Sequence, residues 1–197
     1  MRSYVPEERP DTFINKTEEG MGVDRIDTRT GAASHVENPQ RDADEYISDG
    51  HGTVRIKGVT ARGSSGYDLG YKKYLYRTQG TREWQTLSTY TFSDNSGFNP
   101  YAVDRDGNVA YGFEKIDGRF AMVTYSLDAA RKRTVVYQHP SVDVDGLISV
   151  GRRNRVIGVS YATDRRDAIY FDPALKALTA SLSKALGGKS VHIADTS

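Results

Sequence analysis

One phrase recurs along this 197-residue chain at a spacing near fifty residues, and it restricts the fold to a repeated antiparallel unit. The copies are Tyr46-Ile-Ser-Asp-Gly-His-Gly-Thr-Val-Arg-Ile56, Tyr101-Ala-Val-Asp-Arg-Asp-Gly-Asn-Val-Ala-Tyr111 and, more weakly, Leu147-Ile-Ser-Val-Gly-Arg-Arg-Asn-Arg-Val-Ile157. Each is a short apolar run, a polar turn and a second alternating run, the pattern of two adjacent antiparallel strands. A second phrase interleaves with the first: Val23-Asp-Arg-Ile26, Tyr74-Leu-Tyr-Arg77, Met122-Val-Thr-Tyr125 and Asp167-Ala-Ile-Tyr170. Two strand pairs per unit at this period describe four-stranded blades of a β-propeller. The expected fold is mainly β: a partial β-propeller of about three to four four-stranded antiparallel blades, with one helix near the C-terminus.

The units divide the chain as follows. Residues 1–20 read as an irregular lead-in with room for one outer strand around Thr12 to Asn15. The partial propeller spans 21–197. Residues 21–39 form a hairpin, Val23 to Ile26 and Ala33 to Val36, that resembles the outer half of a blade. Full units follow at 43–92 and 98–138, with strands near 45–49, 53–60, 71–77 and 83–89, then near 99–103, 108–115, 120–126 and 132–138. The unit at 142–197 departs from the pattern. Asp172 stands where an N-cap belongs, Pro173 at the first helical position and Gly187 just past the end, with Leu175, Leu178, Leu182 and Leu186 on one stripe. The stripe is expected to pack on the blades; the other reading makes it a partner-binding face. Ser190 to Ala194 reads as one last strand.

Bulk properties exclude several classes. Lys and Arg number 27 against 26 Asp and Glu, so no overall field draws the chain to nucleic acid or an anionic membrane. Cysteine is absent, which removes disulfides, thiol nucleophiles and thiolate metal sites. No run approaches the ~18 apolar residues of a spanning helix, and the N-terminus has no apolar signal core. A soluble chain is expected.

Candidate chemistry is thin. Gly63-Ser-Ser-Gly66 has neither the spacing nor the strand-to-helix setting of a nucleophile elbow and reads as a loop. His35, His51, His139 and His192 show no metal-ligand spacing and no motif partner. Asp104-Arg-Asp-Gly-Asn108 and Asp143-Val-Asp-Gly146 resemble the first half of a calcium loop. The bidentate Glu needed at position twelve is replaced by Lys115 and Asn154, so both read as hairpin turns. Arg152-Arg153-Asn-Arg155 and Arg165-Arg166 could meet phosphate or carboxylate; alternation with Val and Ile favours a solvated turn. No catalytic residue, metal ligand or cofactor site is assigned, and substrate-binding residues are not identifiable.

With the units laid out, the chain resembles the propeller domain of prolyl oligopeptidase-family serine peptidases, particularly the bacterial dipeptidyl-peptidase and acylaminoacyl-peptidase-like branch. The carriers are Phe98-Asn-Pro-Tyr-Ala-Val-Asp-Arg-Asp-Gly-Asn-Val-Ala-Tyr111 and the strand–Asp-Pro–helix–strand phrase that starts at Ile169-Tyr-Phe-Asp-Pro and runs to Gly187-Gly-Lys-Ser-Val191. The resemblance spans about residues 20–197. It implies a propeller of about seven blades followed by an α/β-hydrolase domain holding Ser, Asp and His, so this chain is expected to be a piece of a longer protein and no catalytic residue carries over. Some relatives hold the substrate's amino group on paired Glu; neither Glu7-Glu8 nor Glu18-Glu19 has that context. The implied role is indirect: a non-catalytic propeller segment that gates peptide access to a hydrolase domain absent from this chain. The alternative is a free-standing binding module closed by oligomerisation. The implied partner is a peptide substrate met through the missing hydrolase, with no nucleic acid and no membrane, in the bacterial cytoplasm or periplasm. Too few blades to close a ring leaves edges and faces open, so a homo-oligomer, most simply a dimer, is expected, with the hairpin 21–39 and the strand 190–194 as contacts.

Overall fold

The computed structural model describes residues 2–4, 12–17, 19–151 and 154–193. It is mainly β: four antiparallel sheets and one helix near the C-terminus. Within each sheet, strands that follow one another along the chain lie side by side. Sheet 1 comprises β1 (Arg2–Tyr4), β2 (Thr12–Thr17), β3 (Gly20–Ile26) and β4 (Ala33–Gln40); sheet 2 comprises β5 (Ala43–Ser48), β6 (Val54–Arg62), β7 (Asp68–Tyr76) and β8 (Gln85–Thr91). Sheet 3 comprises β9 (Asn99–Asp104), β10 (Val109–Ile116), β11 (Arg119–Ser126) and β12 (Arg133–Tyr137); sheet 4 has β13 (Val144–Val150), β14 (Arg155–Ala162) and β15 (Arg166–Tyr170), followed by α1 (Pro173–Ala185). Among the described residues no helix is long and apolar enough to cross a membrane.

Sheets 2 and 3 fall within a few residues of the sequence-based boundaries, because turn chemistry brackets each strand. The third unit shows how. Asn108 donates its N–H to Arg105 O and takes a left-handed φ of 49°; Asn154 does the same to Gly151 O at φ 48°. A tight turn followed by one left-handed residue starts the second strand in both copies, and Asn tolerates that conformation. The first copy uses other means: Asp49, only 5 % exposed, accepts the N–H groups of His51 and Thr53 on Oδ1.

Two expectations need correction at the ends. The strand expected around Thr12 to Asn15 is present as β2, but the described residues of the lead-in hold a second strand and 21–39 is not half a unit: β1 pairs with β2 and β2 with β3, with Ser3 opposite Ile14 and Ile14 opposite Val23, so sheet 1 has four strands. The run from Thr12 to Thr17 is short, and pairing with β3 fixes it as a strand. At the other end, Ser190 to Ile193 form no strand, and Ala194 lies outside the described residues. Ile193 instead donates its N–H to the Tyr170 hydroxyl at 2.9 Å and packs against Val150, Ile157 and Tyr170.

The helix itself forms as its caps dictate. Asp172 Oδ1 accepts from Ala174 N and Leu175 N, Pro173 opens the first turn, and Gly187 at φ 70° ends it while Gly188 N–H bonds back to Ser183 O. The leucine stripe, however, does not pack on the sheets. Leu175 touches the core, but Leu178, Leu182 and Leu186 are 50 %, 42 % and 56 % exposed, and Thr179 is the buried residue of the helix. The helix starts against the last sheet and overhangs it.

Two apolar clusters and one polar interface hold the sheets together, while a third cluster seats the helix and Ile193 on sheet 4. Ile56, Tyr76, Leu87, Phe98, Val103 and Val123 lie between sheets 2 and 3; Phe113, Met122, Val144 and Val159 lie between sheets 3 and 4. Sheets 1 and 2 meet instead through charge. Arg77 Nη2 donates to Glu37 Oε2 at 2.7 Å, while Nη1 stands 2.6 Å from Oε1 outside hydrogen-bonding angles. The single Trp, Trp84, meets two cations with its ring, the Arg77 guanidinium 3.8 Å from the centroid and the Lys57 ammonium at 4.6 Å. Lys57 also donates to Gln40, and the Tyr46 hydroxyl to Met21 O.

A further regularity concerns glycine. The second strand of sheets 2, 3 and 4 carries a buried Gly at matching depth: Gly58, Gly112 and Gly158. A Cβ at Gly112 would stand 2.1 Å from Asn99 O, and one at Gly158 2.3 Å from Ile169 O, so the neighbouring strand closes over a backbone without side chain.

Candidate functional site

The first strands of sheets 2, 3 and 4 gather along one cleft of about 1040 Å³, a size that suits a small ligand or a few residues of a peptide. Each first strand lies at the edge of its own sheet. Pro100 in β9 is tolerated there because an edge strand can do without one donor. Pro100 opposes Gly112 beside a register shift in the β9–β10 pairing. The walls include Tyr101, Phe113, Phe120 and Leu147, and they carry four carboxylates: Asp44, Glu45, Asp143 and Asp145. Among the described residues that line the cleft there is no Lys, Arg or His.

Two cations stand behind these acids. Lys72 Nζ is 3.1 Å from Asp44 Oδ1 and 3.1 Å from Glu45 Oε2. Burial works to lower its pKa, but Glu45 and Asp44 outweigh that and raise it, so the ammonium stays charged. Arg166 forks onto Asp145 at 2.8 and 2.9 Å, and this hydrogen bonding holds the Asp145 carboxyl below the usual carboxylate range. Asp143 Oδ1 accepts the backbone N–H of Phe120 at 2.7 Å.

Tyrosines link the acids to the aromatic wall. The Tyr74 hydroxyl lies 2.9 Å from Glu45 Oε2 and 2.6 Å from Asn99 Oδ1, and its single proton serves one of them at a time. Burial first, and then the Glu45 charge, push its pKa far upward, so it stays a neutral donor. Asn99 Nδ2 donates to the Tyr101 hydroxyl at 3.3 Å, and the Tyr101 ring packs edge-on against Phe113 at 5.3 Å while 56 % of the residue remains exposed.

A second, smaller cleft of about 130 Å³ lies where the hairpin turns of the three repeated phrases meet, lined by Asp49, His51, Arg105, Asp106 and Arg155 among others. Arg105 Nη1 is 3.1 Å from His51 Nδ1.

The residues singled out in the sequence distribute as follows. Asp104 Oδ1 accepts the N–H of Gly107 in its own turn, whereas Asp143 and Asp145 line the large cleft. Gly63 to Gly66 close a loop between β6 and β7, with Gly63 N–H on Tyr67 O. His35 does have an acidic partner, contrary to its lack of any motif: its Nδ1 is 2.5 Å from Oδ1 of the buried Asp24, directly opposite across β3 and β4. His139 Nδ1 accepts the N–H groups of Ser141 and Val142, and His192 Nε2 is 3.2 Å from its near neighbour Ser190. Arg166 meets the chain's own Asp145; the side chains of Arg152 and Arg153 lie outside the described residues, as do Glu7, Glu8 and Glu18. The residues the sequence did not disclose are Glu45, Lys72, Tyr74 and Tyr101. Their only signal is that Glu45 and Tyr101 belong to first strands of the repeat, whose edges converge. No family model matches this chain, and a comparison with curated proteins gives no match.

Proposed function

We propose that this chain is a non-catalytic, partial β-propeller segment of a prolyl oligopeptidase-like serine peptidase, whose cleft forms part of the wall of a cavity that admits short peptides. The observation that carries the reading is the convergence of the first strands of three successive repeat units on one ligand-sized cleft. Radial sheets with inner edges on a common axis have that layout. The strand–Asp-Pro–helix phrase supports the same family, and a wall of this kind acts by excluding large substrates and water from a separate catalytic domain. The segment assembles as a homo-oligomer, most simply a dimer that covers its open faces. Coding sequence downstream of residue 197 that contains Gly-x-Ser-x-Gly, together with serine-reagent-sensitive peptidase activity in the longer product, is the expected outcome. A continuation without a hydrolase domain would overturn the reading in favour of a free-standing binding module.

A further inference from the structure

We propose that the large cleft selects basic side chains, so that the peptides it receives carry Arg or Lys. This rests on the reading of the cleft as a wall met by peptides and goes beyond it by naming their chemistry. Four carboxylates line the cleft, and the two cations in contact with them, Lys72 and Arg166, leave two negative charges over. A concave site with apolar walls concentrates such a field rather than dispersing it into solvent. The surplus is spread over both sides of the cleft. Asp44 and Glu45 share one ammonium on the β5 side, and Asp143, opposite on the approach to β13, receives a backbone N–H at Oδ1.

The second observation is the Tyr101 ring, which lines the same cleft with 56 % of the residue exposed, fixed at its edge by Phe113 and at its hydroxyl by Asn99. A half-exposed aromatic, held in place beside carboxylates, is matched by a cation on an alkyl stem: the stem covers the ring and the charged head reaches the acids. Guanidinium satisfies both demands best, since it stacks on rings and forks onto carboxylates. Two other ligand classes fit less well. Anions meet a surplus of like charge. Among the described residues no three His, Asp or Glu side chains approach closely enough to hold a metal ion, so the surplus suits a large organic cation.

The test uses the whole chain and a capped peptide, N-acetyl-Gly-Gly-Arg-Gly-Gly-amide, whose blocked ends leave the side chain as the one charge. The control peptide replaces Arg by citrulline, the same shape without the charge. Calorimetric titration is expected to show the Arg peptide binding about tenfold or more tightly than the citrulline peptide, with the difference shrinking as salt is raised toward about 0.5 M. Tyr101→Ala and Asp143→Asn should each weaken the Arg peptide about fivefold or more, whereas Asp117→Asn, in the exposed β10–β11 turn, should leave it unchanged. Circular dichroism and melting of each variant establish that the fold persists. Equal binding of the two peptides, no binding of the Arg peptide by the folded wild-type chain, or unchanged binding in the folded Tyr101→Ala/Asp143→Asn double variant would each overturn the proposal. Those results leave the family reading standing, because that reading falls only with the downstream coding sequence.

Discussion

At the level of single residues, the polar seam between sheets 1 and 2 makes two measurable claims. Arg77 and Glu37 are 13 % and 11 % exposed, so removing either partner strands the other away from water. Arg77→Ala should cost about 3 kcal/mol in denaturant unfolding. Because Trp84 is the single Trp and stacks on that guanidinium, its fluorescence should shift in the folded variant. Tyr46, beside the seam, has its pKa pushed up to about 12 by burial and the nearby Glu37. A raised folded-state pKa means that its contribution is complete below the unfolded value of about 10 and is lost as pH climbs through about 12. Tyr46→Phe should therefore flatten that part of the alkaline stability loss, read as the difference in unfolding midpoint between the two proteins across this window. None of these contacts was legible in the chain. Arg77 and Glu37 lie 40 positions apart, and each looks like any surface charge until the sheets are packed.

Elements divide differently, because their local chemistry is written in neighbouring residues. Asp172, Pro173 and Gly187 mark the helix ends by satisfying or omitting backbone donors within four positions, so α1 was readable to within a turn. Asp172→Ala should cost about 1 kcal/mol. Which side of the helix is covered was not readable, since an amphipathic stripe states only that an apolar face exists. Leu178→Ala and Leu182→Ala should each cost less than about 0.5 kcal/mol, as expected for exposed positions, whereas Leu175→Ala, at the contact with Val150 and Ile157, should cost clearly more. Thermal melts of the three variants rank them directly. The repeated strand glycines follow the same logic: Gly112→Ala must displace Asn99 O and should cost several kcal/mol, about as much as a severe core change. Gly118→Ala, at φ 80° with open space around it, should cost about 1 kcal/mol from backbone strain alone.

For the molecule as a whole, the expectations concern surfaces and absent chemistry. The face of sheet 4 that points away from sheet 3 is covered in part by Leu175 and Ile193, and Leu178 and Leu182 of α1 and its cap Leu186 stay exposed beyond it. Light scattering at rising concentration is expected to show association; a dispersed monomer at high concentration would contradict it. The isolated chain is expected to leave aminoacyl and peptidyl chromogenic substrates intact, and turnover blocked by a serine-directed reagent would refute that.

The sequence by itself determined the repeat, the strand limits of sheets 2 and 3, the turns that separate them and the caps of the helix. All of these depend on backbone hydrogen bonding and conformational preference over a few consecutive residues. Tertiary structure decided the rest. The strand around Thr12 to Asn15 was legible, but that Arg2–Tyr4 adds to it and completes a four-stranded sheet was decided by pairing, and 190–193 stayed irregular, with Ile193 held by the Tyr170 hydroxyl. Glu45, Lys72 and Tyr74 meet across sheet 2, and Tyr101 joins them through Asn99 only once sheet 3 packs alongside, since the burial and charge of a side chain depend on neighbours tens of residues away.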